Sequence, residues 1–214
     1  MIPARAALDH LVVAADTLEN GEDYLESVLG VRPQRGGKHV AMGTHNSLLK
    51  LGERCYLELI AIDPDARAPA RPRWFDLDRP SMRALLAQRP RLIHWVARTE
   101  DIEAARTASP TDPGSVHAMS RGDYRWRITI PDDGGRPGAG VLPTLIQWKD
   151  ARHPADDMPD AGVHIVALAA AHPEPGSMRA ALAALGLGET LKVTFDAAPR
   201  LAAMLSTRRG TVTL

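Results

Sequence analysis

The segment Leu8-Asp9-His10-Leu11-Val12-Val13-Ala14 is an apolar run of strand length with a histidine inside it. It returns as Leu92-Ile93-His94-Trp95-Val96-Ala97 and as Gly162-Val163-His164-Ile165-Val166-Ala167. Each copy is followed by a helix or turn signal. The copies stand too far apart for a solenoid and at a spacing that suits a small α+β module.

Reading outward from the first copy gives a βαβββ order. Asp16-Thr17-Leu18-Glu19 has the form of a capping box, Leu18, Leu25, Val28 and Leu29 make a helical stripe, and Gly30 is a stop. Val31–Gln34 reads as a short strand broken by Arg35-Gly36-Gly37. Thr44–Leu51 and Tyr56–Ile62 read as strands joined by a turn at Gly52-Glu53-Arg54. The second copy opens the same order. A helix capped by Thr99 runs to Arg106, strands follow at Val116–Ser120 and Tyr124–Ile130, a glycine-rich turn spans Asp132–Gly140, and Leu142–Trp148 closes the module. The third copy leads to a helix capped by Ser177 and three short strands, Leu191–Phe195, Leu201–Leu205 and Thr211–Leu214.

The expected class is therefore α+β, with repeated βαβββ modules curling a mixed sheet into a funnel and a third, trimmed module at the C-terminus. The boundaries fall at 1–63 for the first module, 64–90 for a linker, 91–150 for the second module and 151–214 for the third. The linker holds an arginine- and proline-rich stretch, Pro64–Arg73, of which Arg67–Arg73 is read as solvated, and a short helix capped by Ser81. Trp74-Phe75 between them either lid a pocket or pack between modules.

Lys and Arg together equal Asp and Glu, so the formal net charge is zero. A general nucleic-acid binder would show a basic excess. No stretch approaches the roughly 20 apolar residues that span a bilayer, and Met1–Asp9 lacks the long apolar core of a signal peptide. The single cysteine, Cys55, allows no internal disulfide and has no base to make it a nucleophile. Together these features set a cytoplasmic expectation. An odd number of modules leaves one without an intrachain partner and a sheet edge to cover, which predicts a homodimer.

Side chains alternate across a strand. His10 shares a face with Leu8 and Val12, while Leu11 and Val13 face the helix. Glu58 shares a face with Tyr56 and Ile60, away from the helix. The same parity puts His94 with Leu92 and Val96, and Gln147 is assigned the position equivalent to Glu58.

Here the chain resembles the glyoxalase-like proteins of the vicinal-oxygen-chelate superfamily. Leu8-Asp9-His10-Leu11-Val12 resembles the family's opening strand and Tyr56-Leu57-Glu58-Leu59-Ile60 its closing strand. Gly37-Lys38-His39-Val40-Ala41-Met42-Gly43-Thr44-His45-Asn46 resembles a run of its less-studied branch. The resemblance covers most of residues 7–150. It implies two modules paired into a funnel, with one metal ligand from the first and last strand of each. By that pattern His10, Glu58, His94 and Gln147 would hold a divalent ion (Zn, Fe, Mn or Ni), and Glu58 would also be the catalytic base. Two imidazoles and a carboxylate are a donor set such ions accept. Gln147 stands where many relatives carry a second glutamate.

The implied function is a metal-dependent isomerase, dioxygenase or lyase acting on a small oxygen-bearing substrate. The alternative is a metal-free protein that binds or sequesters a small molecule on the same fold. His39, His45, Asn46 and Tyr56 are candidate substrate contacts or supports for the ligands, although His45 and Asn46 could instead satisfy backbone groups at a turn. His164 repeats the pattern without a carboxylate partner, since Thr211 and Thr213 occupy that region, and is read as a packing residue.

Overall fold

The computed structural model describes residues 6–214, so the N-terminal residues read above for a leader lie mostly outside the described region. The first module is β1 (Ala7–Ala14), α1 (Leu18–Leu29), β2 (Gln34–His39), β3 (Thr44–Gly52) and β4 (Cys55–Ile62). The second is β5 (Arg91–Arg98), α3 (Ile102–Ala108), β6 (Ser115–Arg121), β7 (Tyr124–Ile130) and β8 (Thr144–Trp148), with α2 (Pro80–Leu86) between them. The two modules form one eight-stranded sheet in the order β2-β3-β4-β1-β5-β8-β7-β6, a palindrome about the β1/β5 pair. In that antiparallel pair His10 lies opposite Val96 and Val12 opposite His94. Leu8–Ala14 and Leu92–Ala97 are thus equivalent strands.

The sheet curls. One face packs on α1, α3 and the C-terminal unit through Leu11, Leu57, Leu59, Trp95, Leu25 and Ile102. The concave face gathers Val12, Ile60, Val96, Ile128 and Ile146, and the linker closes over it with Trp74, Phe75, Leu77, Met82 and Leu86. Burying each such side chain stabilises by about 1.5–3 kcal/mol. The linker is therefore a packed cover rather than a loose tether.

Several local expectations are corrected. Arg35-Gly36-Gly37 does not break a strand. β2 runs through it with a register shift between Arg35 and Gly37, because the Asn46 side-chain oxygen accepts the Gly37 N–H at 2.9 Å. Pro80 rather than Ser81 opens α2, its fixed φ suiting the first helical turn. Asp101 rather than Thr99 caps α3, accepting from the Ala104 N–H at 3.0 Å. The arginines of the linker are engaged: Arg71 donates to the Pro131 carbonyl at 2.9 Å, and Arg73 pairs with Asp78 at 2.7 Å.

The C-terminal unit repeats the βαβββ order as β9 (His164–His172), α4 (Pro175–Ala184), β10 (Lys192–Phe195), β11 (Arg200–Thr207) and β12 (Gly210–Thr213). Its wiring differs. The strand order is β10-β9-β11-β12, with β10 parallel to β9, whereas in the first module it is the last strand, β4, that lies parallel to β1. This smaller sheet shares the core on the convex side through Leu168, Ala170, Ala203 and Leu205. His164 is exposed, with Asp160 3.8 Å away, so it is not a packing residue. Cys55 is buried at the start of β4, and burial pushes its thiol up to about 12, which removes it as a nucleophile.

Candidate active site

His10, Tyr56 and Glu58 project from β1 and β4 onto the concave face, where β1 and β4 run parallel with Val12 opposite Glu58. The His10 Nε2 and Glu58 Oε2 atoms face each other at 3.6 Å. The other oxygen of Glu58 accepts the Asn46 Nδ2–H at 2.6 Å, and His39 Nε2 lies 3.8 Å from it. Tyr56 stacks on His10 with ring centroids 4.5 Å apart. All five of these side chains are buried. All but Asn46 border a cavity of about 20 Å³ that Trp74 and Phe75 also line. That is room for about one water molecule.

Behind His10 stands Asp9, a residue not singled out from the sequence. The pairing of β1 with β5 shifts register between Leu8 and His10, and such a bulge re-aims a side chain. Asp9 Oδ1 accepts from His10 Nδ1 at 2.7 Å. Its other oxygen accepts from Trp148 Nε1 at 2.9 Å and from His153 Nε2 at 3.1 Å. Burial alone would raise the Asp9 carboxyl, but its bonds with the two histidines override this and hold it far below the usual carboxylate range. Asp9 is an anion with no exposed surface. One sequence signal could have found it, because a carboxylate inside an apolar strand must be paired to be tolerated. His153 gave no such signal. It reaches the site from a short 3-10 turn, Pro154–Asp157, whose capping box it forms with Asp156.

His94 keeps to the concave side, 5.1 Å from the Phe75 ring, but its Nε2 is occupied. It accepts from the Thr144 N–H at 3.2 Å and lies 3.0 Å from Thr144 Oγ1. Burial pushes its imidazole well below 6.5. Gln147 requires correction. It points to the helix side, where its oxygen accepts from the Ile102 N–H at 3.2 Å and its amide donates to the Glu100 carbonyl at 2.5 Å. Its neighbours Ile146 and Trp148 face the funnel instead. The assigned equivalence to Glu58 was out of register. His45 also turns to the helix side, among Asp63, Glu19 and Arg35, while Asn46, one residue on, faces Glu58.

The expected four-residue donor set is therefore not assembled. Among the described residues no group of three or more His, Cys, Asp or Glu side chains is placed to hold a metal ion.

One further residue reaches the site. Arg121, at the end of β6, donates from Nη1 to the Asn46 oxygen at 2.9 Å. Gly36 and Gly37 make this approach feasible, since a Cβ on Gly36 would lie 2.3 Å from that oxygen and one on Gly37 2.9 Å from Arg121 Cδ. With two donors on its oxygen, Asn46 must present its NH₂ group to Glu58.

The model of the family described as a glyoxalase-like domain matches residues 8–186. The chain belongs to this family. The resemblance to vicinal-oxygen-chelate proteins is thereby shown. No curated protein matches the sequence of this glyoxalase-like chain. Among solved structures it resembles a hypothetical protein from Staphylococcus aureus, at 12% identity and a TM-score of 0.57, covering 96% of this chain and 83% of that one. At such identity the likeness shows the fold alone. Weaker similarity extends to methylmalonyl-CoA epimerase from Streptomyces coelicolor in complex with 2-nitronate-propionyl-CoA (16% identity, 71% and 100% coverage, TM-score 0.42). The Mycobacterium tuberculosis epimerase is similar to a comparable degree (17%, 71% and 93%, 0.41).

Proposed function

We propose that this glyoxalase-like chain is an enzyme of the isomerase type, moving a proton at a carbon beside a carbonyl in a small oxygen-bearing molecule. The observation that supports this is the opposition of His10 Nε2 and Glu58 Oε2 in a small cavity, with Asp9 behind the imidazole. An ionised Asp9 can only accept, so it fixes the proton of His10 on Nδ1 when the ring is neutral and leaves Nε2 facing the cavity. It also stabilises the ring when protonated. Asn46 occupies one oxygen of Glu58 and leaves the other free. The site thus holds two proton-handling groups, where the sequence offered only Glu58.

In the proposed step Glu58 Oε2 takes the proton from carbon. The C–H electron pair moves into the adjacent C–C bond, and the carbonyl oxygen takes up the charge. Protonated His10 donates its Nε2–H to that oxygen. In a 2-hydroxyketone, return of the proton from Glu58 to the former carbonyl carbon, with the proton of the neighbouring hydroxyl passing to His10, moves the carbonyl by one carbon and completes the isomerisation. At 3.6 Å the two atoms make no hydrogen bond to each other, which leaves both available to a substrate that enters between them.

The test is hydrogen–deuterium exchange of small hydroxyketones and 2-oxo acids in D₂O, followed by NMR. Wild type should exchange the proton beside the carbonyl, and Glu58→Gln should lose this by about 10²–10⁴-fold while keeping its melting temperature. Exchange at an undiminished rate in the folded variant, or no exchange by wild type across the panel, would sink the reading.

A second reading places a divalent metal at His10 and Glu58. It is favoured by the Asp9–His10 couple, since a carboxylate behind an imidazole is how ligating histidines are oriented. Metal content of protein purified without chelator separates the two. Under the metal reading both Glu58→Gln and His10→Gln lose a stoichiometric ion that wild type carries. A sequestering protein would bind a small oxygen-bearing molecule without exchanging its protons, so the same D₂O experiment separates it from the enzyme.

A further inference from the structure

A larger cavity lies beside the inner one at Arg121. A vestibule of about 410 Å³ is bordered by Gly36 and Gly37 of β2, the β6–β7 turn with Arg121 and Tyr124, and Arg152 with Asp157. Arg121 is shared by the vestibule and the inner cavity. Three guanidinium groups border the vestibule, and two are already matched. Arg35 pairs with Glu19 and Glu22 at 2.8 and 2.7 Å. Arg152 pairs with Asp157 at 2.9 Å and lies 3.6 Å from Asp123. Among the described residues Arg121 has no carboxylate within 4.0 Å. Its polar partner is the neutral Asn46 oxygen at 2.9 Å, and the Tyr124 ring lies 6.0 Å away. A guanidinium carries five N–H donors in a fixed fork, so most of its bonding capacity remains open.

From this we infer that the vestibule seats a substrate bearing a single carboxylate, bound by Arg121. The inference rests on the proton-transfer reading and names its substrate class. One uncompensated cation matches one negative charge, not the several of a polyphosphate. The planar fork matches a carboxylate in two parallel bonds. The volumes assign the two ends: the body of the substrate fills the vestibule, and only the reacting carbon and its carbonyl enter between His10 and Glu58. The Arg121–Asn46–Glu58 chain of contacts holds the anion seat at a fixed place relative to the base.

The test is calorimetric titration with 2-oxohexanoate and with its methyl ester, which removes the charge and keeps the carbon chain. Wild type should bind the acid more tightly than the ester by about ten- to hundredfold, the range of a charge-assisted pair. Arg121→Gln should erase that preference. Arg127→Gln, which removes a charge on the opposite face of the same hairpin, should keep it. Equal binding of acid and ester, no binding of the acid, or a preference retained by folded Arg121→Gln overturns the inference. If the glutamine variant folds poorly, Arg121→Lys keeps the charge and loses the fork. A preference below wild type then supports the seat, and an undiminished one overturns it. Binding is read without turnover, so a failure of proton exchange alone would remove the catalytic reading and leave the Arg121 seat standing.

Discussion

Thr144 stands in the second module where Glu58 stands in the first. Glu58 lies opposite Val12, two residues past His10, and Thr144 lies opposite Val96, two residues past His94. The two histidines meet these partners differently. His10 Nε2 faces a carboxylate oxygen across 3.6 Å, whereas His94 Nε2 accepts from the Thr144 backbone at 3.2 Å and has its hydroxyl at 3.0 Å. The sheet is therefore symmetric and the chemistry is not: the first module supplies the ionisable groups, and the second supplies a neutral, packed counterpart.

Thr144→Val should accordingly behave as a change in stability only. It removes the hydroxyl beside buried His94 and leaves the backbone N–H in place, costing about 1–2 kcal/mol in urea unfolding. Proton exchange, once measured with a substrate, should stay within about twofold of wild type. A loss of exchange as large as that of Glu58→Gln would return His94 to the working site.

Asp9→Asn should weaken both fold and chemistry. The Asp9 carboxyl is held far below its unfolded value, so its ionisation stabilises the fold above about pH 4 and that contribution is lost as the pH falls further. The variant should lose about 3 kcal/mol at pH 7, with the gap to wild type narrowing below pH 4. A constant gap from pH 7 to pH 3 would show that the charge on Asp9 is not what stabilises.

His39 gives a second pH dependence. Burial drives its imidazole down to about 4, more than the nearby Glu58 charge can restore. A buried neutral histidine favours the fold above its unfolded value of 6.5 and loses that advantage as pH falls toward 4. The shift corresponds to up to about 3 kcal/mol. His39→Gln should therefore flatten the stability profile between pH 6.5 and 4, with a residual slope from His94. Denaturant midpoints at pH 7.0 and 4.5 for the two proteins decide it, and parallel profiles would contradict the assignment.

The cover over the funnel depends on Gly134. Its φ is +69°, and a Cβ there would lie 2.1 Å from the Arg73 carbonyl oxygen, while its own carbonyl accepts from the Asp76 N–H at 2.9 Å. Gly134→Ala should cost about 2 kcal/mol or more. It should also speed tryptic cleavage at Arg67 and Arg73 by loosening the Trp74-Phe75 cover. Unchanged melting and unchanged cleavage would mean that the turn adapts freely.

The sequence by itself determined the modules and half of the site. Alternation in Leu8–Ala14 and Tyr56–Ile62 put His10, Tyr56 and Glu58 on the helix-free face, because alternation between neighbouring strand residues is local, and it was interrupted only where β1 bulges against β5. The same logic failed at Gln147, because facing was carried across from the first module without knowing the pairing of β8. A slip of one residue reverses every side chain, and only the Val96–Thr144 register fixes it. His45 was lost to the same one-residue parity, while its neighbour Asn46 was kept.

Tertiary structure alone decided the rest. Asp9 turns to His10 through a bulge made against β5, and His153 and Trp148 reach Asp9 from more than a hundred residues away in the chain. Arg121 meets Asn46 because the curl of the sheet brings its β6 and β2 edges together. The sequence left Trp74-Phe75 between a lid and a packing role, and the apolar concave face they bury against decides for a cover over the funnel. In each case the partner comes from a distant segment, and the strand's own pattern holds no record of what the curled sheet sets beside it.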